Sequence, residues 1–121
     1  MLWNCFAVGL GGALGSIFRY LLGFLPLRQY EFPFITLGIN VAGAFLIGLV
    51  IALSGRYAEI DPRVILFLQV GFCGGFTTFS TFSNETFLLL QNGKFGFAAL
   101  YIILSVTLCL CAVFGARFLL R

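Results

Sequence analysis

The chain has 121 residues, of which 61% are hydrophobic and 9% are charged. A soluble domain carries about 25% charged residues, so this composition excludes an ordinary soluble protein. Together with a mean hydropathy of +1.10, it predicts an integral membrane protein surrounded by lipid. The net charge of +3 is spread over loops and chain ends without a basic cluster, which argues against nucleic acid or a specific lipid headgroup as a partner.

Hydropathy patterning predicts four membrane spans. Uncharged stretches cover residues 1–18, 32–55, 64–84 and 95–116, and a transmembrane helix needs roughly 20 apolar residues. The first stretch has no basic leader before its apolar run, which favours a retained span over a signal peptide. We therefore predict one all-α transmembrane domain over residues 1–121, with spans at about 3–24, 33–54, 63–90 and 95–118.

Local signals mark the ends and contacts of these spans. Pro26 ends the first span, and Asp61 followed by Pro62 is typical of an N-cap and the first position of the third helix. Gly11 and Gly15 lie four residues apart in the first span. This spacing lets two helix backbones approach closely.

The third span has an unusual composition in residues 71–83. Three glycines, five hydroxyl side chains and four phenylalanines occupy these 13 positions. Such a mixture predicts a helix break near residues 74–77, and broken helices at membrane depth usually line an ion or substrate site. Free carbonyl groups at the break would suit a small cation such as sodium, whereas free N–H groups would attract an anion.

Residues after the predicted break form two neighbouring stripes. Phe79 and Phe82 are three residues apart and share a helix face, while Thr78, Thr81 and Glu85 share an adjacent face. An aromatic ring attracts cations to its face and anions to its edge, and the sequence does not give the ring orientation. Ordinary helix packing, with each hydroxyl bonded to its own backbone, is the alternative.

Polar residues in the other spans are further candidates. The amide of Asn40 either donates to an anion or forms an interhelical bond, and Arg19 either snorkels to the interface or attracts anions. Glu85 could relay protons, bind a cation or line a wet mouth. Tyr101 and Ser105 are four residues apart, so they extend one polar face of the fourth span.

Charges flanking the spans are nearly balanced. With four spans, one side of the membrane holds four arginines, Arg56, Arg63, Arg117 and Arg121. The other holds Arg28 and Lys94, and also Arg19 if its side chain reaches that interface. The positive-inside rule sets orientation through such asymmetry. Because the asymmetry is small here, we hypothesise that copies insert in both orientations and pair antiparallel.

Catalytic and metal-thiolate chemistry is not indicated. No nucleophile–base pair, phosphate loop or cofactor motif is present, so an enzyme is not expected. The four cysteines lie in apolar segments without a CxxC pair, and the chain has no histidine, so they are interpreted as small apolar side chains.

A resemblance to a known family appears at this point. Residues 74–83, GGFTTFSTFS, with Glu85 after them, resemble the signature of the Fluc/CrcB fluoride channels. The chain is similar to that family in its length and span number as well. Three further groups match the family: Gly11, Gly12 and Gly15 before Arg19; Asn40 with Gly43; and Asp61 with Pro62.

The resemblance implies an antiparallel, dual-topology homodimer with two fluoride pores and a structural Na⁺ at its centre. Carried to the matching positions, it implies that backbone carbonyls of Gly74 and Thr77 from both subunits hold the sodium. It also implies that Phe79 and Phe82 present ring edges to fluoride and that Asn40 is a pore donor. The remaining pathway residues that it implies are Thr78, Ser80, Thr81, Glu85, Tyr101 and Ser105, with Arg19 near a pore mouth.

The expected function is therefore a fluoride-selective channel in the bacterial inner (plasma) membrane. Such a channel exports cytoplasmic fluoride by passive electrodiffusion and gives fluoride resistance. The first alternative is a small multidrug-type, proton-coupled exporter, but that class needs an acid in the first span, where this chain has Arg19. The second alternative is a non-transporting assembly subunit held by glycine packing, which leaves the hydroxyl-rich break unexplained.

Overall fold

The computed structural model describes residues 1–121 and is entirely helical. A short 3₁₀ helix, Pro26–Gln29, lies in the first loop. Four helical segments are long and apolar enough to cross a membrane, with the third counted as Pro62–Gln91, so the predicted all-α fold of four spans with a broken third helix is confirmed. The helices are α1 (Leu2–Leu22), α2 (Phe34–Arg56), α3 (62–76), α4 (Phe79–Gln91) and α5 (Phe95–Leu119).

Helices α1 and α3 run parallel and touch through their backbones. A Cβ placed on Gly71 would lie 2.7 Å from the Val8 carbonyl oxygen, and one on Gly15 would lie 2.8 Å from the Phe76 nitrogen. No real side chain tolerates such distances, so the glycines set the spacing of the two helices. The close approach predicted from Gly11 and Gly15 is thus an α1–α3 contact.

Helices α2 and α5 form a second parallel pair. A Cβ on Gly48 would lie 2.9 Å from the Cβ of Ala116, so the helices are closest there. Near one end of the pair, the Arg56 guanidinium reaches the Leu120 carbonyl oxygen at 3.5 Å. The two pairs meet where Gly43 of α2 lies against the Thr77 side chain at the break.

The third span is irregular along most of its length. The Asp61 carboxylate accepts a hydrogen bond from the Arg63 amide at 2.9 Å and caps the first turn. A π-helical segment, Phe67–Cys73, follows, which the sequence did not predict; π turns inside α-helices often occur at functional sites.

The helix break lies at Thr77 and Thr78, slightly beyond the glycines expected to cause it. Residues Gly74–Phe76 remain helical, and the next two residues are extended. A Cβ on Gly75 would lie 3.0 Å from the Gly12 Cα atom. The glycine therefore serves close packing against α1, and the backbone changes direction only where the threonines begin.

Few side chains are buried within one copy of the chain. Only 18 of 121 residues are buried, so most of the apolar surface faces outward, as expected for helices surrounded by lipid. The compact apolar cluster lies near the first loop and the α4–α5 turn. It consists of Phe32, Leu37, Leu89, Ala98 and Tyr101, with Val41, Phe82 and Leu104 packed against it.

We expect Gly15→Ala to destabilise the fold by about 1–3 kcal/mol, the usual cost of overpacking a tight contact. The added methyl would collide with the backbone of Phe72 and Phe76, and backbone cannot rotate away as a side chain can. The measurement is the free energy of unfolding in mixed micelles titrated with a denaturing detergent.

Gly9→Ala is the matched control, because it lies on the same helix and a Cβ there has nothing within 4 Å. Its stability should equal that of wild type or exceed it by up to about 1 kcal/mol, because alanine favours a helix over glycine. Equal stability of the two variants would show that α1 and α3 are not in backbone contact.

Candidate functional site

The break between α3 and α4 is formed by two extended threonines. Thr77 has ψ 158°, and Thr78 has φ −151° and ψ 111°. The Thr77 hydroxyl donates back to the Cys73 carbonyl oxygen at 2.8 Å, which finishes α3. The Thr78 hydroxyl accepts from the Thr81 amide at 3.2 Å, which caps the start of α4. Thr77 thus supplies a hydrogen bond at the end of α3, and Thr78 supplies one at the start of α4.

Asn40 of α2 holds the break from one side. Its Oδ1 accepts a hydrogen bond from the Thr78 amide at 2.8 Å, and its Nδ2 donates to the Thr78 carbonyl oxygen at 3.2 Å. The carboxamide therefore replaces both backbone partners that Thr78 would have in a continuous helix. This is the interhelical bond that the sequence left open, and it leaves the second N–H of Asn40 without a role in the clamp.

Arg19 and Ser16 of α1 hold the break from the other side. Arg19 Nε donates to the Gly75 carbonyl oxygen at 3.0 Å, and the Ser16 hydroxyl donates to the same oxygen at 3.4 Å. Arg19 therefore does more than reach toward the membrane surface. It takes up a carbonyl that has lost its partner further along the helix.

Two cavities lie on opposite sides of Thr78, which lines both. The first, about 550 Å³, is lined by four charged side chains, Arg19, Arg28, Glu31 and Glu85, and by Thr81. The second, about 610 Å³, has no charged residue and is lined by Asn40, Gly74, Thr77, Phe79, Phe82 and Ser105, among others. At the rim of the first cavity, Lys94 pairs with Glu31 at 3.3 Å. The break thus separates a charged cavity from an uncharged one.

Carbonyl oxygens at the break are suited to a hard cation. No side-chain hydrogen bond, and no backbone hydrogen bond outside the helices, reaches the carbonyl oxygen of Gly74 or Thr77, and both residues line the second cavity. Gly74 is exposed, and nothing lies within 4 Å of the position of a Cβ there. Oxygen ligands of this kind are those that small hard cations prefer.

Glu85 and Tyr101 lie together at the end of the first cavity. The Thr36 hydroxyl donates to Glu85 Oε1 at 2.6 Å. The Tyr101 hydroxyl lies beside both residues, and its buried oxygen has no hydrogen-bond partner. The Ser105 hydroxyl, one turn further along α5, is also buried and unpaired. Two orphaned hydroxyls on one helix face are unusual, because buried polar groups are normally satisfied.

Three aromatic rings, those of Phe79, Phe82 and Tyr101, lie next to one another in a row. Phe79 is 78% exposed, and its ring centroid lies 5.5 Å from that of Phe82, with the planes tilted by 42°. The ring centroid of Phe82 in turn lies 4.9 Å from that of Tyr101, and the two ring planes are tilted by 59°. Neither pair is stacked flat, and Phe79 and Phe82 both line the second cavity.

Comparisons with known proteins bear on this arrangement. A family model described as "CrcB-like protein, Camphor Resistance (CrcB)" matches residues 6–117. A protein of Elusimicrobium minutum named "Fluoride-specific ion channel FluC" is 48% identical over 117 residues, covering 94% of this chain and 90% of that protein. A protein of Shewanella frigidimarina with the same name is 46% identical over 113 residues, covering 92% and 90%.

The chain belongs to the CrcB family. The multi-pass membrane character expected from the sequence is supported by this family and by the four spans. Neither the family nor these relatives support the small multidrug exporter considered as an alternative.

The structure distributes the predicted site residues of this CrcB-family chain over both cavities. Two of them, Ser80 and Tyr101, line neither cavity. Ser80 is exposed, with its hydroxyl 3.3 Å from that of Thr78. The residues at the first cavity are Arg19, Thr78, Thr81 and Glu85, and those at the second are Asn40, Gly74, Thr77, Thr78, Phe79, Phe82 and Ser105.

Sequence reasoning missed two residues that contact the site. Thr36 lies four residues before Asn40, and Ser16 lies three residues before Arg19. These spacings place each on the same helix face as its charged or polar neighbour. A search for polar pairs at i, i+3 or i, i+4 inside the apolar spans would have found both.

We expect Asn40→Ala to release the backbone at the break. Both hydrogen bonds to Thr78 would be lost, and the buried amide would have no replacement, at a cost of about 1–3 kcal/mol. Hydrogen exchange measured by mass spectrometry on peptides spanning 73–82 should therefore become faster by about tenfold or more, while peptides of α1 stay unchanged.

Asn84→Ala is the control, since Asn84 is exposed on α4. It should leave exchange at the break unaltered. Unchanged exchange in Asn40→Ala would mean that the carboxamide does not hold Thr78.

Proposed function

We propose that this chain is a fluoride-selective ion channel that works by passive electrodiffusion and has no enzymatic activity. One observation carries the proposal: a helix break, bordered by a cavity on each side, lies in a chain 48% identical to a protein named fluoride-specific ion channel. The break contributes backbone and hydroxyl groups at membrane depth, where irregular backbone is tolerated only if it is buried in protein or lines a water-filled cavity, and here it borders two cavities.

The first cavity forms the entrance for the anion. Arg19 and Arg28 supply positive charge there, and the ion pair of Glu31 with Lys94 offsets one of the carboxylates. A positive, low-dielectric mouth raises the local concentration of anions. Thr81 and the exposed Ser80 add hydroxyl donors beside Thr78, and Glu85 with its Thr36 partner lies at the side of this path.

Donors at the break replace water around the ion. Asn40 uses only one N–H in its clamp on Thr78, so its second N–H is free to donate to an anion. Fluoride is small and strongly hydrated, so a selective path must present several donors in close succession. A larger halide makes longer and weaker contacts and would fit such a spacing poorly.

The second cavity continues the path past aromatic side chains to an unpaired hydroxyl. The edges of Phe79 and Phe82 carry the positive side of the ring quadrupole and can contact an anion directly. Beyond them, the Ser105 hydroxyl lines the same cavity and is buried without a partner in the chain, so donation to a passing anion would satisfy it. Tyr101 lines neither cavity and would act on this path through its ring contact with Phe82.

The working unit is an antiparallel homodimer in the lipid bilayer. Phe79 is 78% exposed and Gly74 is open to the outside, so a single copy leaves one wall of the second cavity unfinished. The near balance of four against three basic residues suits insertion in both orientations. Carbonyl oxygens of Gly74 and Thr77 from two copies would hold a structural Na⁺, whose positive charge would stabilise carbonyl dipoles gathered at the interface.

Location and physiological role follow from the transport class. Neutral hydrogen fluoride crosses membranes and ionises in a less acidic cytoplasm, where the anion is trapped. A fluoride path in the bacterial inner membrane lets the anion leave down its electrochemical gradient, which gives fluoride resistance.

Proteoliposomes loaded with fluoride and chloride provide the direct test, read with two ion-selective electrodes in parallel. We expect rapid fluoride efflux with little chloride. Phe82→Ile should reduce fluoride efflux by about tenfold or more, because an aliphatic side chain offers no positive ring edge to the ion, while the dimer still forms on size exclusion.

Phe87→Ile is the matched control: it lies on the same helix, is 59% exposed and lines neither cavity. Its efflux should equal that of wild type. Wild-type vesicles that release halides no faster than empty ones, or that pass chloride as readily as fluoride, would refute the proposed function.

Dual insertion is tested separately with single cysteines in the first loop and in the α2–α3 loop, placed in a cysteine-free background. Labelling of intact cells with a membrane-impermeant maleimide should reach about half of the molecules at each position. Labelling of one loop only would show a single orientation and exclude the antiparallel pair.

A further inference from the structure

We propose that Arg19 is a positioning residue for the cation site, acting through its hydrogen bond to the Gly75 carbonyl rather than through its charge. The inference rests on the proposed sodium site at Gly74 and Thr77. It assigns to α1 a role in deciding which carbonyls of the break are offered to that cation.

Carbonyl groups around the break differ in whether a side chain donates a hydrogen bond to them. The oxygen of Gly75 is taken by Arg19 at 3.0 Å and by Ser16 at 3.4 Å, and both of these side chains line the first cavity. Gly74 and Thr77 instead line the second cavity. Holding the Gly75 carbonyl on one side therefore separates it from the two carbonyls that remain available on the other.

Packing makes this contact a rigid one. A Cβ at Gly75 would lie 3.0 Å from both Gly12 Cα and Ser16 Oγ, so the peptide carrying the carbonyl is pressed against α1. On the far side of the break, Asn40 fixes Thr78 through two hydrogen bonds. The segment between the two contacts is thus held at both ends by different helices.

A role of Arg19 through its charge and a role through positioning predict opposite effects of Arg19 substitutions on sodium affinity. A guanidinium near a bound cation repels it, so removing the charge of Arg19 would strengthen sodium binding if charge were its only influence. If the hydrogen bond to Gly75 matters, removing the donor would weaken sodium binding. The sign of the effect therefore decides between the two roles.

Three substitutions at Arg19 separate donor from charge. Arg19→Gln places an amide nitrogen at the same bond distance from Cβ as Arg19 Nε, so it keeps the donor and loses the charge. Arg19→Met has a similar unbranched length but no donor and no charge. Arg19→Lys keeps the charge and moves its donor one bond further out.

The readout is the sodium-dependent rise in melting temperature of the purified protein in detergent micelles, with N-methyl-D-glucamine as the inert cation. A ligand that binds only the folded state raises the free energy of unfolding by RT ln(1 + [L]/Kd). The sodium concentration at which the melting temperature begins to rise, called the sodium midpoint below, therefore reports the dissociation constant. A loss of general stability would lower the melting temperature equally at all sodium concentrations and leave the midpoint unchanged.

We expect Arg19→Gln to keep the sodium midpoint within about twofold of wild type, while Arg19→Met and Arg19→Lys raise it about tenfold, the factor that corresponds to about 1.4 kcal/mol. An unchanged or lower midpoint in Arg19→Met would overturn the proposal, as would an Arg19→Gln midpoint raised about tenfold. If the Met variant does not fold, Arg19→Leu, which also lacks both donor and charge, takes its place, and a Leu midpoint equal to that of Arg19→Gln would overturn the proposal.

Wild-type efflux, measured on the same preparation, separates this inference from the proposed function. Fluoride-selective efflux combined with a wild-type melting temperature that does not respond to sodium would refute the cation site and the role of Arg19 with it, and would leave the channel intact. Sodium-dependent stabilisation of the wild type without fluoride efflux would refute the channel and leave the Arg19 variants interpretable.

Discussion

Satisfaction of backbone polar groups in lipid is the constraint on which the rest of this structure depends. A broken helix frees N–H and C=O groups where no water competes for them, and each unsatisfied group costs several kcal/mol. The chain meets this cost with side chains from two different helices. Asn40 of α2 takes both backbone groups of Thr78, and Arg19 and Ser16 of α1 take the Gly75 carbonyl. The break is therefore a property of three helices packed together, not of the third span alone.

The glycines of α1 and α3 follow from the same constraint. Arg19 Nε and the short Ser16 side chain reach a backbone carbonyl of α3 only because the two helices touch at Gly12, Gly15 and Gly75. A methyl group on Gly15 or Gly75 would push the helices apart. In this chain, the small residues set the distances over which the polar residues act.

Local signals in the sequence predicted the number of spans, the cap at Asp61 and the existence of a break, because composition and capping chemistry are written in consecutive residues. Partners of the polar side chains were not predictable in this way. Whether Asn40 donates to an ion or clamps Thr78 depends on how α2 packs against the break, and the same holds for Arg19 and Gly75. The π-helical segment Phe67–Cys73 had no recognisable local signal, and the break moved to the threonines because Gly75 is packed against α1.

The hydrogen bonds that Arg19 and Ser16 make to Gly75, and those that Asn40 makes to Thr78, also explain why the break lies between two unlike cavities. Arg19 and Ser16 hold the Gly75 carbonyl on the side of the charged cavity, while the free oxygens of Gly74 and Thr77 belong to the uncharged one. An anion moving along the proposed path would leave fixed positive charge at Arg19 and meet neutral donors at Asn40, the ring edges and the unpaired Ser105 hydroxyl. Full charges deep in the bilayer would bind the ion too tightly for rapid passage, since conduction requires binding that is weak enough to release. A cation held at Gly74 and Thr77 would then supply the missing positive potential from a fixed position beside the path, where it favours entry of the anion without becoming one of its ligands.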